Sequence, residues 1–244
     1  MKFFVGIHHP SDCVKVALPC VVSVNVLRKR KSGFEVGDWI MDSGAFSTLL
    51  THSYYPHGPE EYAEQVERWK DNGNLLAAVT QDYMCETGML AKTGMTVERH
   101  QELTIERYDA LSKLVKDCHL MPVLQGDSIE SYVRHLSDYG KRITRQMWVG
   151  VGSMCRRGKL QEIEDILLTI KRVRPDIRLH GFGLKTRSLR SGLVRHLLWS
   201  ADSMSWSYAC RREGRADKWY EAKNFSERIS NATYQRHLIQ EEVI

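Results

Sequence analysis

Trp39-Ile40-Met41-Asp42-Ser43-Gly44-Ala45-Phe46 is an apolar run that stops abruptly at an acid, a serine and a glycine. The same punctuation returns along the chain at Thr80-Gln81-Asp82, Gln125-Gly126-Asp127-Ser128, Gly150-Val151-Gly152-Ser153, His180-Gly181-Phe182-Gly183 and Asp202-Ser203-Met204-Ser205. Apolar strands that each end in a polar residue and a glycine are the pattern of a parallel barrel, where the C-terminal strand ends share one active-site rim. The glycines let a substrate approach the backbone, and the carboxylates supply chemistry. The expectation is an enzyme of the α/β class on a (β/α)8 TIM-type barrel.

Working outward, eight strands are expected at about 3–7, 20–26, 38–42, 75–81, 120–125, 147–152, 178–183 and 200–205. Helical spacing lies between the later ones. Pro59 opens a helix near 59–72 with Tyr62, Val66 and Trp69 on one face. Thr96 is the expected N-cap of a helix over 96–117, with Leu103, Tyr108, Leu111, Leu114 and Val115 toward the core. Further helices fit 129–139, 159–173 and 188–198. Alternation of strand and helix weakens early, where only Val14–Leu18 suggests a short helix and Lys29–Gly37 reads as a basic turn. The charged stretch 211–244 is expected to pack on the barrel as a helical tail, anchored by Trp219, Tyr220 and Phe225. One domain over 1–244 is the reading.

The 244 residues match the usual length of one such barrel. No run approaches the roughly 18 apolar residues of a membrane helix, and the first residues read as a strand, not a signal peptide. Six scattered cysteines show no C-x-x-C spacing, so neither a disulfide framework nor a thiolate zinc site is expected. The implied setting is reducing and cytoplasmic. Charge divides unevenly. Residues 1–140 hold 14 Lys/Arg against 19 Asp/Glu, while residues 141–244 hold 21 against 11, a local balance of +10. That imbalance points to a polyanionic partner.

In order, these segments resemble the tRNA-guanine transglycosylases. Asp42-Ser43-Gly44-Ala45-Phe46-Ser47 is similar to their D-S-G-G-F/Y-Q segment, Gln81-Asp82-Tyr83-Met84-Cys85 to D-E-C, and Gln125-Gly126-Asp127 to Q-G-G. Gly150-Val151-Gly152-Ser153 resembles the glycine pair that follows, His180-Gly181-Phe182-Gly183 the later M-G-V-G, and Ser200–Trp206 the G-I-D-M-F-D-C strand. That superfamily is a (β/α)8 barrel that swaps guanine in RNA for a 7-deazaguanine. Its tRNA members carry a zinc subdomain on C-x-C-x-x-C plus a histidine, which nothing after Cys210 resembles, and they are much longer. Both departures resemble the compact branch, the deazapurine DNA transglycosylases, known from bacteriophages and bacterial modification clusters.

The resemblance implies exchange of guanine in DNA for a free 7-deazaguanine base, such as 7-cyano-7-deazaguanine, through a covalent glycosyl-enzyme. Tranfer to tRNA and a catalytically inactive nucleic-acid-binding barrel are the alternatives. Exchange without strand cleavage needs a carboxylate that attacks C1′ and a second acid that protonates the leaving base. Asp42 and Asp202 are the candidates. Aligned strictly, the superfamily's nucleophile falls at Ser205, with Asp202 three residues earlier, so either Asp202 or Asp42 takes that role, Asp202 being favoured by position.

Base binding is expected from Asp82, which accepts from guanine N1–H and the 2-amino group, with Gln125 and the amide near Gly152 toward O6. Phe46 or Met154 is expected to stack on the ring. Ser43, Gly44, Gly126, Asp127, Gly150, His180 and Ser205 complete the expected substrate-binding set. Lys185, Arg211 and Arg212 are expected on phosphates beside an extruded nucleotide. The His8-His9 pair reads as rim structure, and no metal or cofactor is expected. Partners are then DNA and the free base, with no membrane. A homodimer and a phage-encoded protein in a bacterial host are compatible with this reading.

Overall fold

A computed structural model of the chain describes residues 1–232. Its nine strands are β1 (Lys2–Ile7), β2 (Cys20–Ser23), β3 (Asp38–Asp42), β4 (Asn74–Val79), β5 (Leu120–Met121), β6 (Val123–Leu124), β7 (Trp148–Val151), β8 (Arg178–Gly181) and β9 (Ser200–Ser203). All pair in parallel, in the order β5-β4-β3-β2-β1-β9-β8-β7-β6. The two ends of that order are the same stretch of chain. Pro122 lacks an N–H and divides one expected strand into β5 and β6. On one side Met121 O accepts from Thr80 N at 3.1 Å, and on the other Pro122 O accepts from Gly150 N at 2.8 Å. The sheet thus closes into a TIM-type barrel.

Alternation along each strand explains what lies inside. Phe4, Val21, Ile40, Ala77, Val79, Met121 and Val123 form one buried cluster, capped by Trp148 and Phe182. Their strand neighbours, such as Phe3, Val5, Trp39 and Met41, face a larger cluster beneath the helices. Two residues past Val21, Ile40 and Val123 stand Ser23, Asp42 and Gln125, which the same period turns inward at the next level. Asp202 is in register with Phe4 and follows suit. The polar level over the apolar plug is therefore written into the strand period.

Four of the five expected helices follow the pattern, and the fifth is divided. Pro59–Trp69 buries Tyr62, Val66 and Trp69. In Val97–Leu114 the Thr96 side chain accepts from Arg99 N, and Tyr108 and Leu111 are buried. Leu114 departs from the expectation, because it ends the helix and is exposed. Ile129–Tyr139 and Leu160–Val173 fall where expected. The 188–198 helix is two, Thr186–Leu189 and Gly192–Leu197, because Ser191 accepts from Val194 N and starts a new cap. Before Pro59 the helical segments are the short Pro10–Asp12, Cys13–Val16 and Val24–Leu27 and the longer Ala45–His52, and Lys29–Gly37 has neither helix nor strand.

The strands expected at 20–26 and 200–205 end earlier, at Ser23 and Ser203. Ser23 caps the helix that follows β2, and Ser205 opens the helix Ser205–Arg212. In the tail, helix Trp219–Ser230 lies against β1, with Phe225 edge-on to Phe3 at 5.8 Å. Trp219 is half-buried against the core, while Tyr220 is exposed and anchors nothing. The rest of the expected tail, 233–244, lies outside the described residues.

Candidate active site

Three carboxylates meet at the C-terminal mouth. Asp42 ends β3, and its Oδ2 accepts from Gly44 N at 2.9 Å. Gly44 has φ +72°, and a Cβ there would overlap the Asn25 amide, so glycine is required twice over. Asn25 donates to Gly44 O, Ser47 Oγ and Thr48 Oγ1 and so fixes this turn. Burial, then the nearby Asp82 and to a lesser degree Asp202, push the Asp42 carboxyl up to about 7, against bonds from Gly44 N and the Ser23 hydroxyl.

Asp82 is buried just beyond β4. Ser43 Oγ donates to its Oδ1 at 3.1 Å, and Gln125 Nε2 donates to its Oδ2. Burial raises its pKa to about 6 in spite of those two bonds. Gln125 is itself held. Its Oε1 accepts from Ser153 Oγ at 2.6 Å, its backbone N donates to His135 Nδ1 at 2.9 Å, and its O accepts from Gln101 Nε2 at 2.7 Å. Burial pulls His135 down to about 4, which leaves its ring neutral and free to accept.

Asp202 lies on β9 with its Oδ1 between Gly183 N, which donates at 3.0 Å, and His180 Nε2 at 3.2 Å. The other His180 nitrogen, Nδ1, is 2.9 Å from Ser200 Oγ, which accepts from Trp148 Nε1 at 2.7 Å. His180 and Ser200 are completely buried.

The glycines expected to touch substrate serve packing as well. A Cβ on Gly152 would overlap the Gln125 amide, and one on Gly150 the Phe182 ring. Gly126 leaves room for Ser131 and Tyr132. The Gly152 amide is committed to Leu124 O at 2.9 Å, so it does not face a base as expected. Met154 is buried under the helices and cannot stack on a ligand in the mouth. Phe46 is 40% exposed, with the Arg156 guanidinium over its ring at 5.2 Å. Asp127 is exposed beside the mouth, and the helix there is capped by Ser128. Ser205 bonds with Ser203 Oγ at 2.9 Å at the start of its helix.

Of the basic residues, Lys185 is exposed and donates to Arg157 O at 3.0 Å. Arg211 and Arg212 are exposed on the last turn of Ser205–Arg212, with no side-chain hydrogen bond or ion pair among the described residues. Arg142, Arg157, Arg174 and Arg215 are instead paired with carboxylates, which removes them from the free charge that the sequence suggested. His8 is a rim residue. Its Nε2 lies 2.8 Å from Ser207 Oγ and 3.1 Å from Asp217, and it ties the C-terminal segment to the end of β1.

Sequence reasoning missed Ser23, Ser153, Ser200, Trp148 and Glu86. Ser153 sits at φ +53° and links Gln125 to Cys85 N, an unusual backbone that no composition signal marks. Glu86 is buried, with Oε1 accepting from the Cys155 thiol at 2.9 Å. Ser23 and Ser200 were within reach, being inward-facing by the strand period. Among the described residues no group of three or more His, Cys, Asp or Glu side chains is placed to hold a metal ion. No helix there is long and apolar enough to cross a membrane.

No curated protein shows a significant match to this sequence. The family model described as DpdA, deoxypurine in DNA protein A, matches residues 1–241, nearly the full length and every segment that builds the mouth. This barrel therefore belongs to the DpdA family of deazapurine DNA-modification proteins.

Proposed function

We propose that the protein exchanges guanine in DNA for a free 7-deazaguanine base by way of a covalent glycosyl-enzyme. The observation that carries this reading is the pair of unlike carboxylates in one mouth. Asp42 is held near neutrality, where it can give and take a proton, whereas Asp202 has one oxygen anchored by two donors. Acid–base catalysts work best with a pKa near the operating pH.

In the first half-reaction, Asp202 attacks C1′ of an extruded deoxyguanosine and forms a C–O ester bond. The C1′–N9 electron pair leaves with guanine, which takes the Asp42 proton. In the second, the Asp42 carboxylate removes the N9 proton of the incoming base, N9 attacks C1′, and the ester pair returns to Asp202. Two displacements give net retention. Asp82 recognises both bases through N1–H and the 2-amino group, since each carboxylate oxygen keeps acceptor capacity beyond its bond to Ser43 or Gln125. Arg211, Arg212 and Lys185 hold the flanking phosphates.

The test is exchange of a labelled 7-deazaguanine into DNA and tRNA under matched conditions, read by nucleoside mass spectrometry. Incorporation into DNA, lost in Asp42→Asn and Asp202→Asn, is expected. Incorporation into tRNA alone, or full activity of both variants, would overturn the proposal.

A further inference from the structure

We infer that His180 is a positioning residue that selects which oxygen of Asp202 attacks, and that Trp148 sets the tautomer that lets it do so. The inference rests on Asp202 being the nucleophile. Indole Nε1 can only donate, so Ser200 Oγ must accept from Trp148 at 2.7 Å. The Ser200 hydroxyl hydrogen is then free to point at His180 Nδ1, 2.9 Å away. With Nδ1 accepting, the ring carries its hydrogen on Nε2, directed at Asp202 Oδ1. Three donated hydrogen bonds thus run one way, from indole to hydroxyl to imidazole to carboxylate.

The ring cannot turn away from this duty. Phe182 lies 4.5 Å from it, Trp148 5.9 Å and Phe4 6.2 Å between centroids, all at steep angles, and His180 has no exposed surface. Gly183 N supplies a second donor to the same Oδ1. Oδ2 takes no hydrogen bond among the described residues. An oxygen that accepts two donors is the poorer nucleophile, so Oδ2 is the atom that bonds to C1′. Serine, histidine and aspartate in this order resemble a hydrolytic triad, but Ser200 is completely buried with its oxygen claimed by Trp148, so it is a link and not an attacking group.

Single-turnover formation of the covalent protein–DNA adduct, together with kcat and KM for the free base, tests this. Removing a hydrogen bond to a charged group costs about ten- to a hundredfold in rate. His180→Phe, which keeps an aromatic ring but no donor, should slow adduct formation by that factor with KM for the base unchanged. His180→Gln, whose amide can place an N–H near the Nε2 position, should recover at least tenfold of the loss. Trp148→Phe deletes the indole donor and keeps a smaller ring in the plug, so it remains informative if His180→Phe does not fold. It should slow adduct formation by about threefold to tenfold as the tautomer loses its bias. A folded His180→Phe or Trp148→Phe protein that forms adduct at the wild-type rate would overturn the inference, as would a His180→Gln no better than His180→Phe. Absence of any adduct with the wild-type protein would instead overturn the proposed function.

Discussion

Asp42→Asn should make the protein more stable at the pH where it should also make it inactive. The Asp42 carboxyl is raised from 3.8 to about 7 in the folded protein, chiefly by burial and by Asp82. Between those values the folded state binds the proton more tightly than the unfolded chain, so stability falls as pH rises through that window. At about 1.4 kcal/mol per unit, a shift of roughly three units corresponds to about 4 kcal/mol at pH 8. Asp82 supplies part of the effect and itself titrates near 6, which makes about 2–4 kcal/mol the expected gain. Asparagine can still accept from Gly44 N through Oδ1, so the turn is kept. For a chain of this length the gain is about 5–12 °C in melting temperature. Thermal melts of both proteins at pH 8 and near pH 4 are the assay, and the difference should vanish at the lower pH. Equal melting at pH 8, or a less stable variant there, would refute the account of Asp42 as a carboxylate ionised at a cost.

Three further outcomes are expected. Gln125→Leu removes a donor that lowers the Asp82 pKa, so that pKa rises and the KM for the free base should increase by about ten- to a hundredfold, more severely at pH 6.5 than at pH 8. Gly152→Ala should give the same direction of effect, because the added methyl displaces the Gln125 amide, whereas Gly158→Ala, which meets open space, should behave as wild type in the same kinetic assay. Replacing Arg211 and Arg212 together by alanine should flatten the dependence of log K for DNA on log salt by roughly two, measured by titration at several salt concentrations.

Much of this was legible because the strand period is strict. Every expected strand exists within a few residues of its place, and the polar residues that end them do converge on one mouth. The rest was hidden for identifiable reasons. Helices Ala45–His52 and Ser205–Arg212 begin directly at the polar clusters, where serine and glycine read as loop. Met154 looked like a stacking group because it follows Gly152-Ser153, but the left-handed turn at Ser153 sends it under the helices. Charge along the sequence overstated the free basic surface, since pairing such as Arg142 with Asp109, 33 positions apart, cannot be read from composition. The Trp148–Ser200–His180–Asp202 series joins three strands through side chains, and only the register of β7, β8 and β9 brings it together.

The first strand of this barrel is seated between β2 and β9, so one of its edges stays bare until Ser200–Ser203 has been made. A growing chain that has reached Met121 can hold only an open parallel sheet, β1 to β5, with unpaired edges on both sides. Asp42 belongs to that early sheet, whereas Asp202 arrives on the very strand that closes it. Under the proposed chemistry neither acid can cut a glycosidic bond without the other. Closure of the barrel is thus also the safety catch: under that chemistry no copy that lacks a seated β9 can remove a base from DNA.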